Sequence, residues 1–280
     1  MKFRKMHGLG NDFVILDARQ EDIFMSEDQI EQLADRRFGV GCDLVTILEP
    51  SEKADVFARY FNADGSESGA CGNASRCVAK IIMNETGYDE CKIEVTYGVL
   101  ECRKVGDLIQ VDMGSPKGIQ DIDLSIGGLE NPVSVDMGNP HCVFFVDDLA
   151  AIERTLENIG SAVENHDLFP NRTNVEFVEL RSADKGGQSA LRQITWERGC
   201  GFTLACGSGA CAVHAAAIHR GLIGKDSEII LDGGSLFMEQ DKRGHIMMTG
   251  PAVHVFDGTL ISRSGFRFQR FGRLHRQYLF

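Results

Sequence analysis

Residues 70–77, Ala-Cys-Gly-Asn-Ala-Ser-Arg-Cys, are matched 135 residues later by residues 205–211, Ala-Cys-Gly-Ser-Gly-Ala-Cys. After the first cysteine, apolar residues recur at the spacing of one helical face, and Gly87 is placed to end that helix. After the second, the run is apolar nearly all round until Gly221. Cys71 and Cys206 are therefore predicted to lie at helix N-termini, where backbone N–H groups and the helix dipole stabilise a thiolate and any bound anion.

The duplication extends to both sides of the cysteines. Asn62 and Glu197 each stand nine residues before their cysteine, and each is predicted to end a strand. Residues 97–101 match residues 233–237 as parts of hairpins, and residues 6–12 resemble residues 137–141. Because strand, helix, strand, cysteine helix and hairpin recur in one order, the sequence predicts an α+β fold of two similar lobes. A solenoid is excluded, since it needs three or more repeats.

The repeat also predicts the domain organisation. The first lobe is expected over residues 1–117, and the second over residues 118–262. The C-terminal segment, residues 263–280, is expected to pack back on the first lobe. From Arg263 onward this segment contains five arginines and no acidic residue, and both a solvated extension and a partner-binding segment remain open.

Composition limits the possible functions. A chain of 280 residues with 43% hydrophobic content can bury one or two sizeable cores, and its net charge of −12 argues against nucleic acid as a main partner. No stretch of 18 apolar residues and no signal-peptide core appear, so a cytoplasmic protein with no membrane partner is expected. Nine cysteines, an odd number, are then best interpreted as reduced thiols.

Most of these cysteines are predicted to be small core residues, because free cysteine is among the most buried residue types. A metal site could in principle be made of four cysteines, namely Cys71, Cys77, Cys206 and Cys211. Their spacings are unlike those of structural zinc sites, so no metal is predicted. A thiol-based redox or metal-binding protein without turnover nevertheless remains an alternative. The cysteines predicted to lie in the core are Cys42, Cys77, Cys91, Cys102, Cys142, Cys200 and Cys211.

Two activated thiols from two matched halves indicate a two-base proton-transfer enzyme. Inverting an amino-acid α-carbon requires a base on one face and an acid on the other, and one cysteine would serve as thiolate while the other serves as thiol. No pyridoxal-lysine motif is evident, so no cofactor is expected. The charge that develops on the substrate carboxylate would be met by the backbone amides that follow each cysteine, those of Gly72, Asn73, Gly207 and Ser208.

Seven segments in register resemble the diaminopimelate epimerase family, and together they cover almost the whole chain. They are HGLGNDF at 7–13, FNADGSE at 61–67, ACGN at 70–73, GNPH at 138–141, WERG at 196–199, ACGSG at 205–209 and MTGPA at 248–252. The resemblance implies two pseudo-symmetric lobes, each a curved, mainly antiparallel sheet around a central helix. It also implies a cofactor-independent homodimeric enzyme that interconverts LL- and meso-diaminopimelate for lysine and peptidoglycan precursor synthesis.

The resemblance further implies roles for individual residues. Glu197 is similar to the acidic residue that receives the reacting ammonium group, and Arg198 is similar to a clamp for the distant carboxylate. His141 is similar to a histidine near the catalytic pair, where it would help to hold a thiolate. The family's substrate-binding asparagines correspond to Asn11, Asn62, Asn139 and Asn174.

Three positions depart from the family pattern: Leu44 in place of glutamine, Ala74 in place of glycine, and Phe202 in place of an acidic residue. Leu44 puts one polar contact near the site in doubt. From Phe202 we predict that the second loop is packed by an apolar side chain instead of being tied by a carboxylate. Two rival enzymes, a proline-type racemase and a phenazine-biosynthesis-like isomerase, remain open alongside the epimerase.

Overall fold

The computed structural model describes residues 1–181 and 189–261. Within those residues a repeated order of elements is visible, in which two strands, a helical segment, three strands, a long helix and three strands follow one another twice. The first repeat contains β1 Lys2–Gly8, β2 Asn11–Asp17, α1 Glu27–Ala34, β3 Leu44–Glu49, β4 Val56–Asn62, β5 Glu67–Ser68, α2 Gly72–Thr86, β6 Glu90–Val95, β7 Gly98–Val105 and β8 Leu108–Asp112.

The second repeat follows after three short strands, β9 Lys117–Asp121, β10 Ser125–Ile126 and β11 Leu129–Glu130. It contains β12 Val133–Asp136, β13 Pro140–Val146, α3 Leu149–Ile152, a 3₁₀ helix over Glu153–Thr155, α4 Leu156–Glu164, β14 Asn174–Arg181, β15 Ser189–Glu197, β16 Gly201–Thr203, α5 Gly207–His219, β17 Asp226–Leu231, β18 Gly234–Gln240 and β19 Ile246–Gly250. A last strand, β20, runs over Val253–Thr259. None of the helices in these described ranges is both long and apolar enough to cross a membrane.

The chain forms two compact units. One contains Met1–His7, Asp12–Glu101 and the stretch that begins at Val253; the other contains Gly8–Asn11 and Cys102–Ala252. The division predicted from the sequence, 1–117 and 118–262, stays a prediction. The predicted packing of residues 263–280 concerns a segment that lies outside the described residues.

Strand pairing in the two units follows one scheme. In the first unit β2 pairs with β3 and β4 with β6 in parallel, while β1–β20, β3–β4 and β4–β5 are antiparallel. In the second unit the parallel pairs are β13–β14 and β15–β17, the counterparts of those in the first, and the remaining pairs of its large sheet are antiparallel. The predicted α+β class with two similar, mainly antiparallel lobes is confirmed.

Each unit is built around one long helix. Helix α2 is buried along most of its length and contacts β6, and the hydroxyls of Tyr60 on β4 and Ser75 on α2 lie 2.9 Å apart. It ends at Gly87, whose left-handed φ of 76° suits glycine at a helix C-terminus, as the sequence predicts.

Helix α5 is apolar on all sides because its unit surrounds it. It contacts strands on several sides, β9, β12, β13, β14, β17, β18 and β19 among them. Its alanines at 210, 212, 215, 216 and 217 are buried and small, so the strands can approach the helix backbone closely.

One buried polar residue on α5 makes stability depend on pH. His214 is fully buried, its Nδ1 lies 2.7 Å from the Ser227 hydroxyl, and burial lowers its pKa to about 4. Because the pKa is lower in the folded protein than in the unfolded chain, the unfolded chain binds more protons between pH 6.5 and 4, and stability falls as the pH falls.

We expect His214 to remove about 2.5 kcal/mol of unfolding free energy between pH 7 and pH 4.5. Urea denaturation of the wild type and of His214→Asn at both pH values measures this difference. The variant should show a correspondingly smaller loss, whereas His254→Asn, which changes an exposed histidine, should behave as the wild type does. An equal pH dependence in wild type and His214→Asn would contradict the assignment.

Candidate active site

Cys71 lies at the start of α2, in the first unit. It is the residue before the first helical position, with extended backbone angles and a half-buried side chain. The helical hydrogen bonds begin when Ser75 N donates to Cys71 O at 2.8 Å, so the amides of Gly72 and Asn73 precede that ladder. The predicted thiol at a helix N-terminus is confirmed for Cys71.

Asn62 lies in a tight turn of the same unit. It ends β4, as the sequence predicts, and its Nδ2 donates to Ser66 Oγ at 3.0 Å. Its backbone amide donates to Ser66 O at 2.8 Å, and the residue is exposed. The amide side chain is therefore held in place by a local turn.

Cys206 has the same position on α5, in the second unit. It precedes the first helical residue, Gly207, and the helical ladder begins with Ala210 N donating to Cys206 O at 3.0 Å. Its sulfur accepts a hydrogen bond from Gly209 N at 3.4 Å and lies 3.6 Å from Ser208 Oγ. The N-terminal position predicted for Cys206 is also confirmed.

The pKa of Cys206 differs from the sequence expectation. Burial raises the pKa of this thiol well above its usual value, and the carboxylates of Glu197 and Glu176 raise it further. The Ser208 hydroxyl and the Gly209 amide act in the opposite direction and lower it. The helix start therefore contributes as predicted, but it is outweighed, because the rest of the unit encloses the sulfur. Enclosure and the two carboxylates thus favour the protonated form of Cys206.

A chain of hydrogen bonds leads from Cys206 into the core. Asn139 Nδ2 donates to Ser208 Oγ at 3.3 Å, and Asn139 Oδ1 lies 3.0 Å from His141 Nε2. The other ring nitrogen, His141 Nδ1, lies 2.7 Å from Glu176 Oε1, and His141 and Glu176 are both fully buried. The structure thus brings Asn139, His141, Ser208 and Cys206 together.

Sequence reasoning missed Glu176. It lies on β14 between Val175 and Phe177. The available signal in the sequence was a carboxylate inside the otherwise apolar stretch 175–178. A β-carbon at Gly209 would lie 2.7 Å from Glu176 Oε1, so only glycine fits there while the carboxylate packs under the first turn of α5.

Glu197 and Arg198 lie where β15 turns into β16. Glu197 ends β15, as predicted, and its carboxylate accepts a hydrogen bond from the Thr203 hydroxyl. Arg198 N donates to Asn174 Oδ1 at 3.0 Å, and Arg198 Nη1 donates to Asn171 O at 3.1 Å. Asn174 Nδ2 donates to Pro140 O at 3.0 Å, so both ends of this amide hold backbone in place.

The remaining predicted site residue and the departures are placed as follows. Asn11 begins β2 and is half-buried, Leu44 begins β3 and is half-buried, and Ala74 is fully buried. The rings of Phe202 and Trp196 meet edge to face with centroids 5.2 Å apart. Phe202 is nevertheless exposed, and Gly199 N in the same loop donates to the buried carboxylate of Glu164 at 2.8 Å, so the prediction that apolar packing replaces a carboxylate here is wrong.

One prediction about the other cysteines is wrong. Cys200 is exposed, because it lies in the short turn between β15 and β16 and not in a strand or helix. The other six are buried as predicted, namely Cys42, Cys77, Cys91, Cys102, Cys142 and Cys211. Among residues 1–181 and 189–261, no group of three or more His, Cys, Asp and Glu side chains is placed to hold a metal ion.

The chain is similar to known proteins along almost its whole length. The family model described as diaminopimelate epimerase matches residues 3–119 and 133–255. The diaminopimelate epimerase of Acidiphilium cryptum is 45% identical, over 92% of this chain and 95% of that protein. The diaminopimelate epimerase of Bacteroides thetaiotaomicron is 41% identical, over 93% of this chain and 98% of that protein.

Solved structures share the fold at much lower identity. A phenazine biosynthesis protein of the PhzF family from Bacillus anthracis has a TM-score of 0.69 at 18% identity, covering 93% of this chain and 99% of that one. A hydroxyproline epimerase from Agrobacterium vitis has a TM-score of 0.65 at 14% identity, covering 92% of this chain and 91% of that one. These two structures establish the architecture alone.

Proposed function

The chain belongs to the diaminopimelate epimerase family, and we propose that Cys71 and Cys206 perform its reaction as a pair of thiols without a cofactor. Epimerisation of diaminopimelate is an amino-acid isomerisation in lysine and peptidoglycan precursor synthesis, and it is the activity that this membership gives to the chain. The observation that carries the proposal is that the two cysteines have the same position, immediately before the central helix of their own unit.

The proposed reaction moves one proton off the α-carbon and another onto it. A thiolate takes the α-proton from one face, and the opposite thiol delivers its own proton to the other face. The enclosed thiol of Cys206 favours its protonated form, so we propose that Cys206 is the acid in one direction of the reaction and Cys71 the base. After one turnover the protonation states are exchanged, so the same pair serves the reverse direction.

The carbanion is stabilised through the substrate carboxylate. The amides of Gly72 and Asn73 in one unit and of Gly207 and Ser208 in the other lie in the first turn of their helices, before the helical ladders begin, and we propose that they face the substrate carboxylate. A single preorganised donor of this kind contributes about 3 to 4 kcal/mol in other enzymes, and several donors together would supply much of the stabilisation that a cofactor supplies elsewhere.

The second amino-acid head of the substrate distinguishes diaminopimelate from simpler amino acids. We propose that Arg198 holds the distant carboxylate with its planar guanidinium, and that Glu197 receives the reacting ammonium group. The asparagines Asn11, Asn62, Asn139 and Asn174 contribute further polar contacts to the substrate. His141 is connected to Cys206 by contacts through Asn139 and Ser208, and we propose that it stabilises the position of the thiol.

Two further parts of the proposal concern the cellular setting. The enzyme is proposed to work in the cytoplasm, where nine cysteines stay reduced, and to form a homodimer. The cytoplasmic setting rests on the cysteine composition, and the homodimer rests on the family resemblance.

An isomer-resolved assay tests the function directly. Purified, reduced protein is incubated with LL-diaminopimelate, and the meso isomer is separated by chiral chromatography, with L-proline as a second substrate. We expect meso product from LL-diaminopimelate and no D-proline. Racemisation of proline would instead favour a proline-type racemase. A stable regulatory disulfide in a protein without turnover would favour a thiol-based redox protein.

A further inference from the structure

A buried carboxylate in the second unit stands at a position where a carboxylate is unfavourable. Glu164 is the last residue of α4 and is only 3% exposed. The C-terminal end of a helix carries partial negative charge, so a second negative charge there is disfavoured, and a charged group is buried only when it is well paired. The contacts of Glu164 must therefore compensate for its placement.

Two of these contacts hold one turn of the chain. Glu164 Oε2 accepts a hydrogen bond from the indole Nε1 of Trp196 at 2.7 Å, and Oε1 accepts one from Gly199 N at 2.8 Å. The guanidinium of Arg172 also pairs with Oε1. Trp196 and Gly199 stand immediately before and after Glu197 and Arg198, so one carboxylate fixes both ends of this pair.

Helix α4 is also fitted to the indole. A β-carbon at Gly160, one turn before Glu164, would lie 2.7 Å from Trp196 Cγ, so the helix backbone and the ring are in direct contact. On its other side the turn is held by Asn174, which accepts from Arg198 N. The turn is thereby fixed from two sides, and the side chains of Glu197 and Arg198 start from a fixed backbone.

We propose that Glu164 is a positioning residue for substrate recognition, acting through the turn that carries Glu197 and Arg198. The inference rests on the proposed function, because those two residues are taken to bind the substrate. Glu164 itself makes its contacts with Trp196, Gly199 and Arg172, not with the substrate. Its removal should therefore weaken recognition of diaminopimelate while leaving the two thiols in place.

The substitution Glu164→Gln tests this with little change in shape. A glutamine oxygen can accept from one of the two N–H groups, but its NH2 group then faces the other, and the pairing with the Arg172 charge is lost. We expect kcat/KM for LL-diaminopimelate to fall about 10- to 100-fold, mainly through KM, as the turn shifts. Glu179→Gln is the matched control: Glu179 is a mostly buried carboxylate of the same unit that contacts Leu149 and Arg181, and this variant should keep wild-type KM and kcat.

A fluorescence readout separates positioning from general loss of stability. Trp196 is the chain's single tryptophan, so its emission reports directly on the Glu164 contact. The emission maximum should shift in folded Glu164→Gln and stay unchanged in Glu179→Gln. If Glu164→Gln does not fold, Trp196→Phe removes the indole donor and part of the ring but keeps an aromatic group beside Gly160; its KM should rise by about 3- to 10-fold.

The outcomes are distinguishable. Wild-type KM and kcat in a folded Glu164→Gln or Trp196→Phe protein would overturn the inference, even if the protein were less stable. Absence of epimerisation in the wild type and in Glu179→Gln would refute the proposed function instead. In that case the emission still tests whether Glu164 holds the turn, because an unchanged Trp196 emission maximum in Glu164→Gln would overturn that part of the inference.

Discussion

Replacing either Cys71 or Cys206 by alanine is expected to lower kcat for diaminopimelate epimerisation by about a thousandfold or more, because each replacement removes one of the two groups proposed to exchange protons with the α-carbon. Loss of the base leaves nothing to take the proton, and loss of the acid leaves the carbanion without a proton on the opposite face. Neither group can substitute for the other within one turnover. Stopped assays with chiral separation of the isomers measure the loss.

Matched control variants are available on the same two helices. Cys77 on α2 and Cys211 on α5 are fully buried thiols a few residues beyond the proposed catalytic ones. Cys77→Ala and Cys211→Ala should keep most of the activity and lose only some stability, since a buried small side chain is shortened. Normal turnover by a folded Cys71→Ala or Cys206→Ala protein would refute the two-thiol mechanism.

Features encoded in short stretches of chain were predicted well from the sequence. The cysteine–glycine starts of α2 and α5, the end of α2 at Gly87, and the strand ends at Asn62 and Glu197 all depend on a few neighbouring residues. Because the pattern occurs twice, an element predicted in one half could be compared with its counterpart in the other half. The fold class follows from these local features taken in order.

Features that depend on packing between distant segments were not predicted. The raised pKa of Cys206 arises from enclosure by the rest of its unit, from Glu197, and from Glu176, 30 residues earlier in the chain. Glu164 contacts Trp196 and Gly199 more than 30 residues later, and no local pattern shows such a partner. The exposure of Cys200 likewise follows from the turn in which it lies, whereas cysteine as a residue type favours burial.

The raised pKa of Cys206 also favours this thiol as the proton donor. A thiol that holds its proton before substrate binds is suited to deliver that proton, and in heavy water it carries deuterium because thiol protons exchange with solvent. The base-side thiolate, by contrast, receives the hydrogen of the substrate itself. The origin of the hydrogen in the product therefore reports whether the base and the acid stand on opposite faces of the α-carbon.

The most direct measurement follows this hydrogen during the first few per cent of reaction. Wild-type protein is incubated with LL-diaminopimelate in deuterium oxide, and the isomers are separated and analysed by mass spectrometry. Two thiols on opposite faces predict that nearly every early meso molecule contains one deuterium at the inverted carbon, while recovered LL substrate is still largely unlabelled. A single base that moves between faces would carry the original hydrogen across, so early meso product with mostly protium at that carbon would contradict the assignment of Cys71 and Cys206.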